Sequence, residues 1–184
     1  MILQYIGKSF FPSKFIQWFT WGKYSHSAWS FCEIEAGMLV GDISEYEAWA
    51  GKGVVHVPAI GLNHTKGTRI DLYDLKAKLN NEEASEGLKF LTEQIGKGYD
   101  YKGILGFILR KKSLHNPYDW FCSELVFAFL LKCGRFLLHG IKPYQVSPQM
   151  LPLCPDLVYL GYIIAGEDLK IRQDIKEDSD GNDG

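Results

Sequence analysis

Asn116-Pro117-Tyr118-Asp119-Trp120-Phe121-Cys122-Ser123-Glu124-Leu125-Val126-Phe127-Ala128-Phe129-Leu130-Leu131-Lys132-Cys133-Gly134 reads as a buried helix with a cysteine in its first turn. Pro117 and Asp119 supply a turn and an N-cap, Glu124 places a negative charge near the helix start, and Gly134 supplies the stop. Helical steps from Cys122 reach Leu125, Val126, Phe129, Leu130 and Cys133, so the sulfur heads the stripe that must face a core. Unpaired N–H groups and the macrodipole at a helix N-terminus favour an anion, whether a thiolate or a developing oxyanion. A free cysteine on an apolar stripe is more commonly a small core residue, so the helix alone does not assign chemistry. A second element has to decide.

That element is Tyr24-Ser25-His26-Ser27-Ala28-Trp29-Ser30-Phe31-Cys32, which is rich in strand formers. Period two puts Tyr24, His26, Ala28, Ser30 and Cys32 on one face and Ser25, Ser27, Trp29 and Phe31 on the other. The small neighbours of His26 leave room for a helix to dock beside it, while Trp29 and Phe31 fill a hydrophobic layer opposite. A cysteine at a helix start and a histidine on a strand packed against it form the minimal thiol nucleophile pair. A third polar group then orients the imidazole through its other nitrogen. Glu45 and Glu47 are the carboxylates on the neighbouring strand, and Asp42 is a less favoured option.

The remaining chain frames these two stretches. Residues 2–6 form a short strand, Pro12 opens a helix that runs through Thr20 to a stop at Gly22, and Met38–Ile43 pairs with the histidine strand as a hairpin on its way to Glu45–Trp49. Further strands are expected at Val54–Pro58, Thr68–Tyr73 and Leu157–Ile164. One helix is capped by Asn80 or Asn81 and carries Ala84, Leu88, Leu91 and Ile95 at helical spacing; another covers Lys102–Lys111. Strands first and helices later, with little βα alternation, indicate an α+β domain with a small antiparallel sheet packed against helices. The domain is expected over residues 1–170, with residues 171–184 a polar, acidic, disordered tail.

Composition narrows the partners. A net charge of −2, with Arg110-Lys111-Lys112 the one basic run, argues against nucleic acid and anionic membranes. No apolar stretch approaches the roughly 18 residues of a membrane span, and the first residues lack the features of a secretory signal, so no membrane insertion and a cytoplasmic location are expected. The four cysteines lack CxxC spacing and are expected as reduced thiols. His56 and His64 read as strand or loop residues rather than zinc ligands, His115 and His139 as surface residues, and Tyr99 and Tyr101 as aromatic packing. No cofactor and no metal is expected.

Four segments also carry a resemblance. Tyr24–Trp29, then Tyr46-Glu47-Ala48-Trp49 with Gly53-Val54, then Gly98-Tyr99-Asp100-Tyr101, then Phe121–Val126 resemble the successive motifs of circularly permuted NlpC-like, papain-fold hydrolases. The YiiX-like branch, in which the histidine strand precedes the cysteine helix, is the most similar, and the resemblance spans residues 2–165. It implies Cys122 as nucleophile, His26 as general base and acid, and Glu47 as the orienting group. The spacing after His26 is a few residues longer than in the family, which leaves Glu45 as the alternative. The resemblance further implies amide-bond hydrolysis in cell-wall-type peptides, with a small peptide or acyl-amide as substrate. A lipid acyltransferase or thioesterase, or a binding module that has retired the site, are the alternatives.

Overall fold

A largely apolar run, Ile2–Ile6, forms strand β1 at the centre of the structure, a computed structural model that describes residues 1–8, 13–101, 116 and 118–174. Around it the chain lays down α1 (Phe15–Thr20), β2 (His26–Trp29), β3 (Glu33–Glu35), β4 (Met38–Val40), β5 (Glu45–Trp49), β6 (Gly53–Val57) and β7 (Arg69–Leu75). Then come α2 (Asn81–Gln94), α3 (Cys122–Lys132) and β8 (Leu157–Ile164). The sheet has the order β6-β5-β2-β1-β7-β8, every neighbouring pair antiparallel. The protein is therefore α+β, with a six-stranded antiparallel sheet. Among the described residues, no helix is long and apolar enough to cross a membrane.

The sheet is covered on both faces. On one, α2 and α3 bury Leu91, Leu125, Val126, Phe129 and Leu130 against Trp29, Tyr46, Ala48 and Val54. On the other, Leu3, Tyr5, Ala28, Ile70 and Leu72 meet Leu39, Ile60 and Ala165. Trp29 stands 4.4 Å, centroid to centroid, from Phe129. The helix therefore lies on the Trp29 face of β2, not on the Ala28 face that the small residues suggested. The energetic reason is area: burying an indole against α3 removes far more apolar surface from water than burying an alanine does.

Several element limits follow the local chemistry. Asn80 caps α2 by accepting from Glu83 N–H at 2.9 Å, while Glu83 accepts from Asn80 N–H at 2.9 Å, a reciprocal capping box. Along α2 the residues facing α3 are Gly87 and Leu91, whereas Leu88 and Ile95 stand exposed. A Cβ on Gly87 would collide with the Phe129 ring and the Cys133 sulfur, so this glycine sets how closely the two helices approach. Gly134 takes a left-handed φ of 73° and ends α3, with Arg135 N–H reaching back to Leu130 O at 2.8 Å.

Other limits differ from the sequence expectation. The hairpin predicted from Met38 does not extend β2; β3 and β4 form a separate two-stranded ribbon, and β5 pairs with β2 in its place. Trp21, with φ 52°, ends α1 one residue before Gly22. The chain stays tied to the sheet past residue 170, where Arg172 exchanges backbone hydrogen bonds with Tyr162 and Asp174 pairs with Arg69. The expected helix over Lys102–Lys111, the basic run, His115 and the tail from residue 175 lie outside the described residues.

Candidate active site

His26 is the first residue of β2, and its position is fixed by what precedes it. Asp71, fully buried on β7, accepts from Lys23 Nζ at 2.7 Å, Tyr24 OH at 2.7 Å and Arg69 Nε at 2.6 Å, which anchors the turn into the strand. Gly7 N–H donates to Ser25 Oγ at 3.0 Å on the next residue. The ring of His26 then stands at the strand end among Tyr5, Trp49 and His64, with centroids 5.3, 5.5 and 5.1 Å away. A strand end is where a side chain can reach past the sheet towards the start of a helix on the other face.

Cys122 is the first residue of α3 and is wholly buried. Its thiol lies near enough to His26 to act on the charge of the ring. With His26 Nε2 held 2.7 Å from Glu47 Oε2, the nitrogen left for the sulfur is Nδ1. The imidazole thus sits between a thiol and a carboxylate. Burial opposes its charged form, but the Cys122 and Glu47 partners outweigh burial and raise the pKa to about 10. Burial also acts against the charge on Glu47, and the hydrogen bonds and charges of His26 and His64 reverse it, holding that carboxyl far below the usual range.

Glu45 and Glu47 share one face of β5, and only Glu47 meets His26. Trp29 lies opposite Tyr46, so Ala28 falls across from Glu47 and Ser30 across from Glu45. His26, two residues before Ala28 on the same face, is the diagonal neighbour of Glu47. Glu45 instead accepts from Tyr5 OH and, at 3.0 Å, from Gly61 N–H. Burial and the nearby Glu47 charge push its pKa up to about 8. Two adjacent carboxyls on one face are thereby split into an ionised partner for histidine and a largely neutral structural group.

Sequence reasoning missed two members of this cluster. Asn63 Nδ2 donates to Glu47 Oε1 at 2.7 Å, and His64 Nε2 lies 3.3 Å from Glu47 Oε2. Both come from the loop between β6 and β7, which folds back so that His64 stacks on Tyr5 at 3.7 Å. Burial, with the His26 charge, lowers the His64 pKa to about 4. The only sequence signal was a polar Asn-His pair inside a loop bracketed by Gly61 and Gly67, which does not say where the loop lies. His56, by contrast, stacks on Tyr46 away from the cluster.

The start of α3 also differs from expectation. Phe121 is the N-cap, with extended backbone, and Glu124 Oε2 accepts its N–H at 3.3 Å. Asp119 accepts from Asn116 Nδ2 at 2.5 Å and lies against Gly98. Burial raises the Glu124 pKa to about 8, so at neutral pH it is mostly uncharged. The first turn therefore places little charge of its own beside the sulfur. A pocket of about 180 Å³ opens next to the cluster, lined in part by His26, Trp49, Asn63, His64 and Tyr99.

With this geometry in view, the comparison with solved structures is informative. Over 88% of its length this chain superposes on 95% of the crystal structure of the metalloprotein YiiX from Escherichia coli O157:H7, DUF1105, with a TM-score of 0.57 and 18% identity. The chain has the YiiX fold. At that identity the likeness to YiiX speaks for the architecture alone. No protein-family model and no curated protein sequence matches the chain.

Proposed function

We propose that the protein is a cysteine hydrolase that cleaves an amide bond through an acyl-enzyme, with Cys122 as nucleophile, His26 as general base and acid, and Glu47 as the orienting group. One observation carries the reading: a buried imidazole held by a carboxylate through one nitrogen and within electrostatic reach of a thiol at a helix N-terminus. With its proton already held on His26, the Cys122 thiolate attacks the carbonyl carbon. The resulting oxyanion faces the N–H groups at the start of α3, Cys122 N–H among them. Collapse breaks the C–N bond, His26 returns the proton to the departing amine, and a thioester remains. Water, deprotonated by His26, then releases the acid and restores the thiol.

The permuted papain-fold resemblance of the motifs supports a peptide of the cell-wall type as substrate. YiiX is described as a metalloprotein, and in this chain the donors that suit a divalent ion are His26, Glu47 and His64, whose ligand atoms lie within 4.8 Å of one another. An ion held there would supply Lewis-acid polarisation of a bound oxygen. The thiol mechanism uses none.

Alkylation by iodoacetamide, followed by peptide mapping to separate the cysteines, tests the reading. The imidazolium that the partners of His26 maintain up to about pH 10 is expected to speed the alkylation of Cys122. In His26→Ala that enhancement is expected to vanish. A Cys122 that reacts with the profile of an ordinary thiol in both proteins would remove the thiol mechanism.

A further inference from the structure

A catalytic imidazole needs one carboxylate partner, yet Glu47 Oε2 faces two: His26 Nε2 at 2.7 Å and His64 Nε2 at 3.3 Å. Both rings present the same nitrogen to the same oxygen, and side-chain exposure is 10% for His26, 6% for His64 and zero for Glu47. The remaining carboxylate oxygen is held by Asn63 Nδ2 at 2.7 Å, the kind of outer partner that orients a metal-binding carboxylate. His64 is itself held in place by stacking on Tyr5 at 3.7 Å and by the edge of Trp49 at 4.6 Å. This is a second histidine, built in and oriented, for which the thiol mechanism has no task.

We propose that His26, Glu47 and His64 form a zinc(II) site whose occupation and the activation of Cys122 exclude each other. Tetrahedral zinc with bonds near 2.0–2.1 Å spaces its donors by about 3.3 Å. The Glu47–His64 pair already has that spacing at 3.3 Å, and the His26–Glu47 pair reaches it by opening from 2.7 Å. Two imidazoles and one carboxylate are a common donor set for such ions and leave a fourth position. That position can face the pocket, which His26, His64 and Asn63 all line. Binding replaces the hydrogen bond between His26 and Glu47 with two coordinate bonds and takes the lone pair of Nε2. The proton that Nε2 shared with Glu47 moves to Nδ1 or to solvent, and with Nε2 on the ion the ring can no longer take up the Cys122 proton and become the imidazolium. The exclusion rests on the thiol reading above, whereas the ion site itself does not.

The experiment separates the two. Zinc is titrated calorimetrically into Cys122→Ser, where the sulfur cannot serve as a ligand, with circular dichroism confirming the fold of each variant. One ion per chain is expected. Adding His64→Gln or Glu47→Gln to Cys122→Ser is expected to weaken binding by more than the roughly 10–100-fold that loss of an outer partner costs. Cobalt(II) in Cys122→Ser should give ligand-field bands in the visible that His64→Gln abolishes. Absence of binding in Cys122→Ser, or binding that survives both glutamine changes, overturns the site. Iodoacetamide alkylation of Cys122 in protein with native cysteine, with and without zinc, tests the exclusion. Zinc is expected to slow it at least tenfold, and to lose that effect when His64→Gln is introduced. Protection that persists in His64→Gln would put the ion on the sulfur, and alkylation unaffected by bound zinc would overturn the exclusion while leaving the ion site standing.

Discussion

Glu45 and Glu47 differ by two positions on one face of β5, and their environments set them to opposite tasks. Glu47 is ionised because two histidines and Asn63 converge on it; Glu45 carries a raised pKa of about 8 because it shares burial with that charge. Glu47→Gln keeps the shape and removes the charge that stabilises the imidazolium. Turnover of a cleaved peptide should fall by about 10²–10⁴-fold, the usual worth of acid–base catalysis, and low-pH alkylation of Cys122 should fall with it. Glu45→Gln replaces a largely neutral group by another and should change both rates far less. Equal losses in the two variants would mean that Glu47 acts only as scaffolding. The choice between the two glutamates was not legible in the sequence, since period two places both on the histidine's face. It needed the register, Trp29 against Tyr46, which rests on the packing of the whole sheet.

At the scale of elements, α3 is where sequence and structure agree most closely and where one change of charge state matters. Its apolar stripe and its left-handed stop at Gly134 were set by local signals, whereas its N-cap is Phe121 rather than Asp119. The charge on Glu124 was not local, because burial beneath the chain raises its pKa from 4.5 to about 8. The folded protein therefore binds more protons than the unfolded chain between those two values. Stability should be greatest below about pH 4.5 as far as this group is concerned, and decline as pH rises towards 8. Glu124→Gln, whose amide oxygen can still accept from Phe121 N–H, should flatten that decline, measured as urea midpoints at pH 5 and pH 8. If wild type and variant fall in parallel, Glu124 is not the group that titrates. The face of β2 chosen by α3 was likewise beyond local reading. Small residues at Ala28 and Ser30 permit a close approach, but Trp29 rewards burial more, and only the competition between the two faces decides it.

Across the whole molecule, His64 and Tyr99 show why the site was only half legible: strands carry His26 and Glu47 there, but folded-back connections bring the rest. The segment Gly96–Asp100 is stitched to β6 by Val54 N–H to Lys97 O at 2.8 Å and Gly96 N–H to Val54 O at 2.9 Å. On its other side Trp120 N–H reaches Gly98 O at 3.0 Å, and Asp100 N–H reaches Trp120 O at 3.1 Å. This strap joins the sheet edge to the start of α3 and holds Tyr99 against Phe121, 6.0 Å between ring centroids, near enough to Cys122 for their charges to interact. Gly53 permits the crossing, because a Cβ there would strike Lys97 O. Tyr99 lines the pocket while Cys122, fully buried, does not. In the proposed reading, a substrate carbonyl reaches the sulfur through this pocket, past the Tyr99 ring that lines it. Tyr99→Ala should therefore raise the rate of Cys122 alkylation several-fold at every pH and leave the pH dependence unmoved, because access changes while the His26–Glu47 pair does not. A rate that stays the same would place the approach to the sulfur on another side of α3. A shifted pH profile would instead mean that Tyr99 acts on the charge of the site rather than on its opening.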